Sequence, residues 1–311
     1  MKRWFAVVLA IGICFGLSAC FQQTQTPPLV AYPQFSYPAA EEPFSRDSIS
    51  FALVDGMNAN SPAKVKVYKA ESVVNEKRDL IAAFELEKAS RTVGEATVYT
   101  NGNKELTVYP NGVYSFTVSS SDDRVQSPCT LTNTQVGTMA QTFLAKNNLL
   151  PKGFVLSDKF GEEGVVYTEN GEEKTVVTAR GAWFQREIDG IPVVGTAKIL
   201  VQYNSDGLCS VFSVYSELGE TTEVELIDID TAIRRAKTAD ALLQWDENAL
   251  TTATSASVTE LELVYYDDPL DEHFTHIQPC YRFRGIATDG KMMGGFTILV
   301  PALPDEVYKV S

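Results

Sequence analysis

The segment from Tyr265 to Cys280, YYDDPLDEHFTHIQPC, gathers the side chains in this sequence best suited to bind a metal or move a proton: Asp267, Asp268, Asp271, Glu272, His273, His276 and Cys280. His273 and His276 are the only histidines of the chain. On a helix, imidazoles three residues apart share a face and can hold one cation together with a neighbouring carboxylate. Pro269 and the polar run around it oppose a helix here. The segment therefore reads as a solvated acidic loop joining two strands, with a weak calcium or zinc site on His273 and His276 as the competing reading. No cofactor is expected. There is no GxSxG elbow, no Gly-rich phosphate loop and no Cys–His pairing by spacing. With 40 Asp and Glu residues a carboxylate pair acting on glycans is formally open, but no spacing selects one. A non-enzymatic chain is the expectation, and an envelope hydrolase ranks last.

The amino terminus says where such a chain works. Lys2 and Arg3 precede an apolar run from Trp4 to Leu17, shorter than the roughly 20 residues that span a bilayer. The run closes on Leu17-Ser18-Ala19-Cys20, which resembles the lipobox of bacterial lipoproteins, where the cysteine sulfur takes a diacylglycerol. The resemblance implies a signal peptide over 1–19, a lipidated Cys20, and a globular part held outside the cytoplasm on the bacterial cell membrane. Residues 20–48 carry Pro27, Pro28, Pro33, Pro38 and Pro43 and read as an extended tether. Loss of Lys2 and Arg3 with the signal takes the formal charge from −14 to −16. Such a surface repels nucleic acid and anionic headgroups.

Beyond Cys14 and Cys20, Cys129, Cys209 and Cys280 are an odd set with no CxxC spacing, so neither a disulfide framework nor a zinc knuckle is implied. They read as small buried hydrophobes, with one bridge and a free thiol as the alternative.

Periodicity then supplies the elements. A helical pattern followed by strand-like runs recurs three times, over 49–128, 129–222 and 223–311. In the first unit Val73 to Leu86 reads as the helix, and Ala96 to Tyr99, Leu106 to Tyr109 and Val113 to Val118 as strands. In the second, Thr132 caps a helix through Val136, Ala140 and Leu144, and strands follow at Val165 to Thr168, Thr175 to Ile188, Val193 to Tyr203 and Leu208 to Tyr215. In the third, Asp228 or Asp230 opens a helix with Ile233, Ala236 and Leu242, followed by Val258 to Tyr266, Tyr281 to Ala287 and Gly295 to Val300. The expected class is α+β, with repeated units of one helix packed on an antiparallel meander.

The stretch WFQREIDGIPVVGTAKILVQYNSDGL, residues 183–208, resembles the FTP and PepSY propeptide pattern of secreted metalloproteases. With DIDTAIRRA, LELVYY and the final PCYRFRGIATDGKMMGGFTILVPAL, the wider order resembles the YycH/YycI regulators, extracytoplasmic partners of a sensor kinase. These resemblances imply a regulatory module that docks a sensor-kinase ectodomain or a protease, with Gln185, Asp189, Gly190, Ile191 and Pro192 on the docking surface. Pro192 is expected to stop the ladder at the turn and set the register of the next strand. The alternative is a receptor for a small molecule, peptide or glycan, with Tyr265, Tyr266, Tyr281 and Trp245 as its platform.

Overall fold

The computed structural model describes residues 45–51, 62–73, 80–86, 90–119, 127–169, 171–238, 241–245, 253–271 and 273–308. The expected signal peptide, Cys20 and most of the tether lie outside them, as do Val74, Glu272 and the side chain of Trp245. Among the described residues no helix is long and apolar enough to cross a membrane.

The first stretch supplies β1 (Ile49–Ser50), β2 (Lys64–Glu71), a single helical turn α1 (Leu80–Ala83), β3 (Ser90–Val93), β4 (Ala96–Asn101), β5 (Lys104–Val108) and β6 (Tyr114–Val118). The second supplies α2 (Asn133–Lys146), β7 (Phe154–Glu169), β8 (Glu172–Ile188), β9 (Ile191–Gly195), β10 (Lys198–Asn204), β11 (Gly207–Val214) and β12 (Glu217–Glu225). The third supplies α3 (Ile229–Ala236), β13 (Leu242–Trp245), β14 (Ser255–Asp267), β15 (His276–Thr288) and β16 (Met293–Pro301).

These elements do not form repeated helix-on-meander units, and that expectation is corrected. Among the described residues all 16 strands join one large mixed sheet, a β-rich fold with three helices. Its main path runs β12-β2-β15-β14-β9-β8-β10-β11-β6-β5-β4-β3. The physical cause lies in β2 and β9. The alternation of KVKVYKAE buries Val65 and Val67 and turns lysines outward, so β2 fits between β12 and β15 and leaves its own stretch. β9 pairs antiparallel with β8 and parallel with β14. Local periodicity sees neither the β2 pairings nor β9 beside β14, because these join residues far apart in sequence.

Two helices cover the sheet. In α2 the Thr132 hydroxyl and the Gln135 side chain satisfy each other's backbone N–H in a capping box, and Val136, Ala140 and Leu144 face β8 and β10. They join the largest core, with Phe84, Leu106, Phe116, Phe184, Ile199 and Val211. In α3 the Asp228 carboxylate accepts from Thr231 N at 2.7 Å, and Ala232 and Ala236 pack with Phe283, Phe296 and Ile298. Each such aromatic contributes about 1.5–3 kcal/mol through burial.

The strand axes give the molecule two ends. β1 pairs with the start of β14, Ile49 opposite Ala256, and β9 runs parallel to the end of β14, Val193 opposite Tyr265. β8 is antiparallel to β9, so its Glu172 end extends past Asp267, away from β1. There β7 and β8 pair only with each other, since the last β8 residue opposite β10 is Ala179. Residues 164–169 of β7 and 172–178 of β8 thus form a two-stranded arm that reaches roughly 20 Å at the usual rise per residue.

Candidate functional site

The predicted docking residues cluster at the β8–β9 turn. Gln185 is exposed on β8, while Phe184 and Arg186 face inward. Asp189 and Gly190 have φ of 52° and 80°, the left-handed pair of a two-residue hairpin. The Asp189 carboxylate accepts hydrogen bonds from Tyr68 Oη at 2.9 Å and Lys66 Nζ at 3.1 Å, both on β2. These bonds hold it below the usual carboxylate range. The Tyr68 hydroxyl is pushed up to about 12, mainly by burial. Ile191 and Pro192 are half-buried. Pro192 does not end the ladder: it lies opposite Glu187 inside β9, which carries the sheet across to β14. The turn is exposed, but its acid is engaged by the fold itself.

Next to it is a buried polar junction that sequence reasoning missed. Asp267 and Asp268 are 0% and 2% exposed, not part of a solvated loop. Asp267 Oδ1 accepts from Ser216 Oγ at 2.8 Å, and Oδ2 accepts from Ser216 N at 3.2 Å. Arg186 Nη1 stands 3.7 Å from that second oxygen and donates to the Ser216 carbonyl at 2.6 Å. The guanidinium lies over the rings of Phe154 and Tyr215. Asp268 accepts from Thr196 Oγ1 at 2.7 Å and Tyr266 Oη at 2.9 Å. Burial pushes the Asp267 carboxyl up to about 6 against the opposing pull of Ser216 and Arg186. Burial also draws the Arg186 guanidinium below its usual range. A sequence signal existed: Arg186 shares parity with Phe184 and Ile188, and a cation at a core position requires a buried acid. The cluster is sealed, its two carboxylates bonded and only Arg186 Nε without a hydrogen bond among the described residues, which suits a structural tie between the two parts of the sheet.

An accessible site lies at the base of the arm. A groove of about 1060 Å³ opens there, lined by Phe84 beside α1, Phe116 of β6, Phe143 of α2, Tyr203 of β10 and Leu208 of β11. Phe84 stacks on Phe116 with ring centroids 4.2 Å apart, both rings in the core behind the groove and 2% exposed. Glu85, Lys104, Glu163 and Asp206 also line it. Lys104 is spent on Glu85, with Nζ to Oε2 at 2.6 Å. Glu163 accepts from Gln202 Nε2 at 2.6 Å. Among the described residues no cation pairs with Glu163 or Asp206, so the groove is acidic as well as apolar. The Cys209 thiol lines it too, and burial first, then Glu163, pushes it up to about 11. A thiol so held stays neutral and is a poor nucleophile.

The remaining predicted residues go elsewhere. His276 opens β15 opposite Lys69, with Thr275 Oγ1 2.9 Å from Nδ1. The His273 backbone N–H donates to Asp271 Oδ1 at 2.9 Å. No cluster of three or more metal-ligating side chains forms among the described residues. Cys129 and Cys280 are buried thiols and Cys209 is half-buried. The proposed aromatic platform is corrected: Tyr265, Tyr266 and Tyr281 are each at most 2% exposed, because apolar contacts exist on both faces of β14 and β15.

No family model matches the chain, and no curated protein does. An uncharacterized protein from Eubacterium rectale ATCC 33656, of known crystal structure, is similar over 85% of this chain and 89% of its own, at 9% identity and a TM-score of 0.42. A likeness of that size carries no inference about function.

Proposed function

We propose that this chain is a lipid-anchored, extracytoplasmic binding protein without catalytic activity, which docks a partner protein by taking an apolar, cationic segment of it into the groove at the base of the arm. The observation that carries the reading is the groove's lining: half-buried Phe143 and Leu208 over the stacked Phe84 and Phe116, beside Glu163 and Asp206, two carboxylates that no cation among the described residues pairs with. Apolar area supplies affinity, and the acids select a cationic segment and reject an acidic one. The groove stands at the end of the β8 axis opposite β1, through which the tether enters, so an anchored chain presents it away from its membrane. A sensor-kinase ectodomain or a protease remains the partner class that the sequence resemblances suggest.

The test is photo-crosslinking in the native envelope from a reactive residue at Leu208. The expected result is one recurring membrane or envelope protein, lost when Glu163→Lys and Asp206→Lys reverse the rim charge. A small molecule that raises the thermal midpoint, with no crosslinked protein, overturns the reading in favour of a receptor. The mass of the N-terminal peptide tests the diacylated Cys20 separately.

A further inference from the structure

The β15–β16 hairpin tip presents Met292 and Met293 at 59% and 70% exposure, with Ile286 on the adjoining strand at 40%. Ile286 and Met293 stand on one face, since Ile286 lies two residues before Thr288, the partner of Met293. Side chains hold this tip in shape. The Asp289 carboxylate accepts from Lys291 N and Met292 N, both at 2.7 Å. Thr288 Oγ1 accepts from Gly290 N at 3.0 Å and donates to the Met292 carbonyl at 2.6 Å. Two large apolar side chains are thus displayed by a braced turn, at a cost in exposed apolar surface that a solvent-facing loop has no reason to bear.

The tip lies at the end of the sheet where the tether enters. Ile49 of β1 pairs with Ala256, Ala256 with Ala287, and Ala287 with Gly294. Three strand spacings, about 14 Å, therefore separate the two. At about 3.1 Å per residue, the extended Pro-rich tether expected from the sequence over residues 20–48 is long enough to bring this end to the bilayer that holds Cys20. The tip is also electrically quiet for so acidic a protein. Asp289 and Lys291 offset each other, and on the same face Arg284 pairs with Glu260 at 3.1 Å.

We infer that Met292, Met293 and Ile286 rest in the headgroup region of the lipid bilayer that anchors the chain, fixing its orientation with the arm outward. Methionine suits this role, being apolar, flexible and adaptable, and the tether raises the local concentration of bilayer so that a weak contact is populated. The inference rests on the lipid-anchored reading but not on the groove.

The test is methionine oxidation by dilute hydrogen peroxide, followed by peptide mass spectrometry. The acylated chain on vesicles of phosphatidylcholine and phosphatidylglycerol is compared with the Cys20→Ser chain free in solution. Met292 and Met293 are expected to oxidise several-fold more slowly on vesicles, while Met139, exposed on α2, keeps its rate. Equal rates at the tip overturn the inference. So does protection in solution that grows with protein concentration, which assigns the tip to a second copy. The N-terminal peptide mass from the same digest reports acylation, so a missing tether is told apart from a tip that fails to adsorb.

Discussion

The two ends of β8 put charge to opposite uses. At its inner end Arg186 is 4% exposed and meets Asp267, Ser216 and two aromatic rings. At its outer end Glu172, Glu173, Lys174 and Thr175 are exposed, and Val166 opposite is 60% exposed. The first is a tie between sheet halves that water does not reach; the second is a ribbon that nothing else in the described fold supports. Charge in the junction persists because an acid, a carbonyl and two rings are built in around the guanidinium, and charge on the arm persists because water solvates it. Binding surfaces belong to the second kind of region, and large stability effects to the first.

Asp267→Ala gives the sharpest contrast. It leaves the Arg186 guanidinium buried without its acid and Ser216 N without its acceptor, which costs about 3–5 kcal/mol. Urea unfolding checks it, and a loss below about 1 kcal/mol breaks the comparison. Gly195→Ala comes next. Gly195 has φ of +105° where the chain leaves β9, beside β14, for β10, and a Cβ there meets the Asp267 carbonyl at 2.4 Å. Strain and clash together cost about 2–3 kcal/mol by the same measurement.

The junction also sets a pH dependence. Because burial raises the Asp267 carboxyl to about 6, against about 4 in the unfolded chain, the folded state keeps a proton that the unfolded state releases in that interval. This contribution is fully present below about pH 4 and is lost as pH rises through about 6. The depressed, exposed Asp189, Asp228 and Asp289 act in the opposite sense, losing stability as pH falls below about 4, so the windows separate. Urea midpoints from pH 4 to 7 should fall for the natural chain relative to Asp267→Ala, and parallel curves would refute the assignment. Asp189→Ala is milder. It removes two hydrogen bonds at an exposed turn and should cost about 1 kcal/mol, read as a shift in urea midpoint.

How much of this was legible follows from where the information sits. The Thr132 cap, a helix start at Asp228 or Asp230 that the structure places at Asp228, the turn at Gly190 and strands β4, β5, β6 and β14 are local patterns and could be read directly. β2 alternates plainly in KVKVYKAE but stands apart from any helix-and-meander order, and β12 and the inner part of β7 carry mostly exposed residues. Leu242, read onto the third helix, belongs to β13 opposite Leu299. The run Val193 to Tyr203 was read as one strand, but Gly195 breaks it where the chain changes sheet neighbours. The groove was invisible because its lining comes from eight separate stretches brought together only by the fold. The acidic segment misled by composition: Asp267 and Asp268 look solvated until Arg186 and Thr196 are placed beside them.

The smallest expected change in stability lies on the arm, and it sharpens the comparison most. Val166→Thr keeps the β-branch and removes one exposed apolar contact from a strand edge that only β8 supports. Its unfolding midpoint should match the natural chain to within about 0.5 kcal/mol. If docking extends from the groove along the arm, the same variant should lower the yield of partner crosslinked from Leu208. A variant that is neutral in both assays confines docking to the groove. One that destabilises as strongly as Gly195→Ala shows the arm to be packed, and the distinction between the two ends of β8 fails.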